Sequence, residues 1–133
     1  MDKASVILVV EGDLNIRHPL AEYLRGCGFK VHEASNGEEA RLALKSERHR
    51  PDVVLADMAT EGSGFPLAHW IRENAIDVEI VMAGSTETYL DQAEKLCEEG
   101  PIVAKPYEHE LVLQQIRQML GRRERAKSGF QSA

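Results

Sequence analysis

Short apolar runs alternate with longer amphipathic stretches along the chain. Val6–Val10 is a continuous aliphatic run, which is typical of a strand buried on both faces. Similar short runs predict further strands at 29–34, 52–56, 78–83 and Ile102–Ala104. Between and after them, apolar residues recur at helical spacing, which predicts helices at 15–25, 38–48, 65–74, 86–98 and 107–120.

The alternation of strands and helices predicts the fold class. Apolar strands joined by helices make a parallel sheet that is covered on both faces. Right-handed crossovers then give a doubly wound, five-stranded α/β fold of flavodoxin-like type, with strand order 2-1-3-4-5. On the last helix, the residues expected to face the core are Leu111, Val112, Ile116 and Met119.

The length of 133 residues fits a single domain, predicted here at 5–120. The stretch 121–133 has no apolar periodicity and is predicted to be a flexible tail. Its Arg122, Arg123 and Arg125 are interpreted as a solvated helix end, with weak contact to an anionic partner as the alternative.

Composition narrows the class of protein. A hydrophobic fraction of 43% is enough for one core, and the net charge of −6 argues against direct binding to nucleic acid or to an anionic membrane. Cys27 and Cys97 form no CxxC motif, so we expect free thiols in a reducing compartment. No signal peptide or apolar stretch of about 20 residues is visible, which predicts a soluble, cytoplasmic protein.

Charged side chains collect where the predicted strands end. Glu11 and Asp13 follow the first strand, Asp57 follows the third, and Lys105 follows the fifth. Ligand sites of such folds lie beyond the carboxyl ends of the strands, so we expect these groups to share one crevice. Clustered carboxylates repel one another unless one stays protonated or a hard cation such as Mg²⁺ neutralises them. Asp57 could then attack a phosphoryl donor while Lys105 contacts the transferred group.

Three segments resemble the signatures of response-regulator receiver domains. They are Val9-Val10-Glu11, the segment 52–57, and Lys105-Pro106-Tyr107, and the resemblance covers about residues 5 to 120. It implies that a histidine kinase or phosphotransferase phosphorylates Asp57. It also implies that Glu11 and its neighbours hold Mg²⁺ with the backbone carbonyl of Ala59, that Lys105 contacts the phosphoryl group, and that a downstream protein binds the face of the fourth and fifth helices.

The chain departs from the family pattern in several places. Gly12 replaces the second of two adjacent acids, which predicts weaker magnesium binding unless Asp13 takes part. Ala83 stands where the family has a switching hydroxyl, with Ser85 as the candidate substitute, and Ile102 replaces an aromatic switch residue. The loop 60–64 also lacks the usual Met-Pro pair. The usual hydroxyl–aromatic coupling is therefore not expected.

Three functions compete at this point. The first is a single-domain response regulator that accepts a phosphoryl group on Asp57 and signals through a partner protein, as a monomer or weak homodimer. It would have no enzymatic activity beyond its own phosphorylation and dephosphorylation. The second is a degenerate receiver that binds proteins independently of phosphorylation, which Gly12 and Ala83 favour. The third, a flavin carrier, is disfavoured because Glu11 and Asp13 would repel the cofactor phosphate.

Overall fold

Five strands form one parallel sheet. The structure is a computed structural model that describes residues 4–46, 48, 50–84 and 102–132, with side chains through residue 126. The strands are β1 (Val6–Val10), β2 (Lys30–Ala34), β3 (Val53–Asp57), β4 (Glu79–Gly84) and β5 (Ile102–Ala104). They lie in the order β2-β1-β3-β4-β5, and every neighbouring pair is parallel. The predicted doubly wound fold and its strand order are confirmed.

The helices cover the two faces of this sheet. They are α1 (Leu14–Gly26), α2 (Gly37–Lys45), α3 (Phe65–Glu73) and the C-terminal helix α4 (His109–Ser132). The predicted helix at 86–98, together with Ser85 and Cys97, lies outside the described residues. Within the described part of the chain, no helix is long and apolar enough to cross a membrane.

Alternating residues of the strands contribute to two separate hydrophobic cores, one on each face of the sheet. In β1, Ile7 and Val9 pack with α1 and α4, whereas Leu8 and Val10 pack with α2 and α3. All four side chains are completely buried. A strand that faces a core on both sides has no polar face, which explains why β1 is uniformly apolar in the sequence. Trp70 of α3 lies partly buried against the second core.

The C-terminal helix extends beyond its predicted end at residue 120. Helix α4 continues to Ser132, and Arg123 is not a solvated residue, since its side chain is only 10% exposed. Its guanidinium lies 3.1 Å from Oδ1 of Asp77 and 3.9 Å from Oδ1 of Asp52. The other oxygen of Asp52 accepts a hydrogen bond from the backbone N–H of Val6. Arg123 therefore attaches α4 to the amino-terminal edge of the sheet, which the charge pattern alone did not indicate.

Arg123→Ala is expected to lower the free energy of unfolding by about 1 kcal/mol, because the change removes the packing of the buried arginine stem and the ion pairs with two more exposed carboxylates. Chemical denaturation measures this difference. Arg125→Ala, on the same helix but exposed, is the matched control and should stay within about 0.5 kcal/mol of the parent. Equal stabilities of the two variants would show that the anchor contributes nothing.

Candidate functional site at the carboxyl ends of the strands

Strand register directs four side chains to the same face of the sheet. Asp57 ends β3 and lies opposite Ala83 of β4, which in turn lies opposite Val103 of β5. Side chains alternate along a strand, so a residue two positions beyond a core residue points to the same face. Glu11 lies two positions beyond Val9, and Lys105 two beyond Val103. Glu11, Asp57, Ala83 and Lys105 thus share the face covered by α1 and α4.

Lys105 joins the two buried carboxylates of this face. Its ammonium Nζ lies 2.7 Å from Oε2 of Glu11 and 3.1 Å from Oδ1 of Asp57. The side chains of Glu11 and Asp57 are only 4% and 3% exposed. Burial alone would lower the pKa of Lys105, but its hydrogen bonds to Glu11 and Asp57 outweigh this effect and raise it. The lysine is therefore a fixed positive charge beside the Asp57 carboxylate.

Asp13 lies apart from this cluster. Its carboxylate accepts a 2.9 Å hydrogen bond from the backbone N–H of Asn15 and so caps α1. Asp13 reaches the site through its backbone, whose N–H donates to Oε1 of Glu11 over 3.2 Å. Ala59, the predicted carbonyl ligand, lies in the exposed turn that follows Asp57.

The donor chemistry of the site fits a magnesium ion in part. Among the described residues, no group of three or more acidic, histidine or cysteine side chains could hold a metal. Glu11 and Asp57 nevertheless supply two carboxylates, and Mg²⁺ in proteins commonly takes one or two carboxylates together with phosphate oxygens and water. Lys105 lies between these two groups in the structure, so a cation would share them with its ammonium.

Thr60 belongs to the site, although the sequence analysis did not single it out. Its hydroxyl donates a 2.7 Å hydrogen bond to Oδ2 of Asp57 and accepts a 2.9 Å hydrogen bond from the backbone N–H of Gly12. Thr60 thus connects the loop after β3 to the loop after β1. The signal in the sequence was a hydroxyl three residues beyond a strand-end aspartate, in a loop noted only for its missing proline.

Tyr107 is a second residue whose contact was missed. Its hydroxyl lies 3.5 Å from Oε2 of Glu11, and Nζ of Lys105 lies 5.5 Å from the centre of its ring. Burial, together with the negative charge of Glu11, raises the pKa of Tyr107 well above its usual range. The phenol therefore stays protonated and remains a donor towards the carboxylate.

A close backbone contact holds the loop that carries Thr60. The N–H of Gly37, at the start of α2, donates a 2.8 Å hydrogen bond to the carbonyl of Glu61. A Cβ atom on Gly37 would overlap the backbone of Gly62, so only glycine permits this approach. Gly62 itself has φ +73°, a conformation that side chains strain. The loop after β3 is thereby attached to α2.

The atypical switch positions lie on different faces of the sheet. Ala83 is fully buried beside Asp57 and offers no hydroxyl. Ile102 lies opposite Met82 and is half-buried against a small cluster that contains Met58 and Phe65. Ser85, the candidate substitute, is outside the described residues. Of the two described positions, Ala83 shares the face of the carboxylates and Ile102 does not.

Comparison with protein families identifies similar domains. A family model described as the response regulator receiver domain matches residues 7–122. The transcriptional regulatory protein PhoP of Escherichia coli is 27% identical over 118 residues, which cover 87% of this chain and 52% of PhoP. The chain therefore spans about half the length of this relative. GltR of Pseudomonas aeruginosa, another transcriptional regulatory protein, is 38% identical over 68 residues, covering 51% of this chain and 28% of GltR.

Solved structures show the same fold. The chemotaxis response regulator CheY4 of Vibrio cholerae superposes with a TM-score of 0.76 at 22% identity, covering 88% of this chain and 99% of CheY4. A response regulator receiver domain protein from Clostridium thermocellum gives a TM-score of 0.77 at 22% identity, covering 90% and 97% of the two chains. At 22% sequence identity, the similarity establishes a shared fold and no more.

Proposed function

Since the chain belongs to the response-regulator receiver domain family, we propose that Asp57 accepts a phosphoryl group from a histidine kinase or phosphotransferase and that the domain signals through a partner protein. The observation that carries this proposal is the placement of Asp57. Its buried carboxylate ends the central strand β3 and is bound directly by the ammonium of Lys105.

The chemistry follows from these contacts. One carboxylate oxygen of Asp57 forms a bond to phosphorus while the bond from phosphorus to the donor imidazole nitrogen breaks, and that nitrogen keeps the bonding electrons and takes up a proton. Lys105 lies within reach of the developing negative charge, and Glu11 positions its ammonium. Magnesium held by Glu11, Asp57 and the carbonyl of Ala59 would neutralise charge on the transferred group. No further enzymatic activity is proposed beyond self-phosphorylation and self-dephosphorylation, and the proposed location is the cytoplasm.

Acetyl phosphate with magnesium tests this proposal. We expect intact-protein mass spectrometry to detect one added phosphoryl group, and amide NMR to show shifts around Asp57, Ala83 and Lys105. The Asp57→Asn variant should lose the modification completely, because an amide oxygen is a poor nucleophile. Asp77→Asn changes an exposed aspartate at the opposite, amino-terminal edge of the sheet, and this variant should be modified like the parent. An unmodified parent protein, or a modified Asp57→Asn variant, would refute the proposal.

A second candidate function is a receiver that binds a partner without being phosphorylated. Gly12 and Ala83 favour it, since neither supplies the side chain that the family resemblance led us to expect. The hydrogen bonds that already occupy both oxygens of Asp57 favour it as well. Under this alternative, Asp57→Asn would leave partner binding unchanged and acetyl phosphate would leave the protein unmodified.

A further inference from the structure

Both carboxylate oxygens of Asp57 accept a hydrogen bond. Oδ1 faces the ammonium of Lys105, and Oδ2 accepts the shorter hydrogen bond, 2.7 Å, from the hydroxyl of Thr60. The Asp57 side chain is only 3% exposed, so little water can replace either donor. An oxygen that accepts a short hydrogen bond has a lone pair committed to that proton. A carboxylate oxygen has two lone pairs, so the Thr60 hydroxyl occupies one of them and competes with any further ligand for Oδ2.

The hydroxyl is itself held from the other side. The backbone N–H of Gly12 donates to Thr60 Oγ1 over 2.9 Å, so a continuous chain of hydrogen bonds runs from the loop after β1 to Asp57. A Cβ atom on Gly12 would lie 3.5 Å from this same oxygen, which is ordinary van der Waals contact. The backbone of Gly12, rather than its lack of a side chain, therefore holds the Thr60 hydroxyl in place.

We propose that Thr60 is a positioning residue that restrains Asp57, and that its hydroxyl competes for Oδ2 with a divalent cation or a phosphoryl donor. The part that concerns the donor rests on the proposed role of Asp57 as the acceptor. Restraint by Thr60 also explains how two nearby carboxylates remain ordered: Lys105 bridges them and Thr60 satisfies the remaining oxygen of Asp57.

Magnesium affinity tests the restraint without any phosphoryl transfer. The full chain would be titrated with magnesium chloride while amide NMR follows Gly12, Met58 and Ala59. Thr60→Val keeps the shape of the side chain and removes the hydroxyl. We expect it to bind Mg²⁺ about tenfold more tightly, which corresponds to about 1.4 kcal/mol. Thr60→Ser retains the hydroxyl and should stay within about twofold of the parent, and thermal melting verifies that each variant is folded.

The rate of phosphorylation by acetyl phosphate is the second measurement, and we expect it to rise severalfold in Thr60→Val but not in Thr60→Ser. If Thr60→Val binds Mg²⁺ no more tightly than the parent, or if neither binds it, the restraint is disproved. If Thr60→Val binds Mg²⁺ more tightly but is phosphorylated at the rate of the parent, Thr60 does not restrain the attack of Asp57 on the phosphoryl donor. Tighter binding with no phosphorylation of any variant supports the restraint towards cations and refutes the proposed function instead.

Discussion

Replacing Gly37 by alanine should lower the free energy of unfolding by about 3 kcal/mol. A Cβ atom at this position would meet backbone atoms of Gly62, and backbone cannot rotate away as the end of a flexible side chain can. Relief requires that the loop after β3 move away from α2, which breaks the hydrogen bond from the Gly37 N–H to the Glu61 carbonyl. Gly37 is also buried, so little free space is available.

Urea denaturation of the variant measures this effect. Gly26→Ala is the control, because a Cβ atom there meets nothing within 4 Å and Gly26 is the last residue of helix α1. That change should be neutral or should stabilise by up to about 1 kcal/mol, since alanine favours helical backbone. Equal stability of the two alanine variants would show that the backbones of Gly37 and Gly62 leave room for a Cβ atom.

Lys105→Met is expected to be the second large effect, with a loss of about 3 kcal/mol at neutral pH. The change keeps most of the side-chain volume but leaves Glu11 and Asp57 buried without a cation between them. Breaking a buried ion pair from one side is costly because the remaining charge stays desolvated. Lys30→Met, at an exposed position of β2, should remain within about 0.5 kcal/mol of the parent.

The pH dependence of stability distinguishes this ion pair from simple packing. The pKa of Lys105 is raised on folding, so its contribution is complete below the ordinary lysine value of about 10.4 and is lost as the pH rises through the higher folded value. The difference in stability between the parent and Lys105→Met should therefore narrow above about pH 10.4. A difference that stays constant through this range would assign the effect to packing.

The elements that position Asp57 could be predicted because they depend on local patterns. Continuous apolar runs indicate buried strands, and a charged residue that directly follows such a run lies at the edge of the sheet. Glu11, Asp57 and Lys105 each satisfy this rule, and the structure brings them together. Their convergence needs only the alternation of side chains, which follows from the pattern, and the strand order, which follows from the predicted fold type.

Thr60 and Arg123 could not be predicted, since their partners are distant in sequence. Thr60 reaches Gly12 only because the loop after β3 is held against Gly37, and a loop path has no periodicity to reveal it. Arg123 finds Asp52 and Asp77 only once α4 packs across the sheet.

Helical spacing was also imperfect at the boundary of a buried face. Of the four residues predicted to face inward on α4, Val112, Ile116 and Met119 are buried, but Leu111 is 53% exposed. Leu111 immediately precedes Val112, and a helix turns by about 100° per residue, so neighbours in sequence do not share a face. The helical spacing therefore predicted the buried face of α4 correctly, except that it included one exposed residue.

The register of the strands has a consequence for how the chain can vary in length. Because side chains alternate, inserting or deleting one residue within β1, β3 or β5 would turn Glu11, Asp57 or Lys105 towards α2 and α3. An insertion of two residues would keep the charged side chain on the same face of the sheet but would shift it along the strand. Changes in length should consequently be rejected in these strands even where hydrophobicity is preserved.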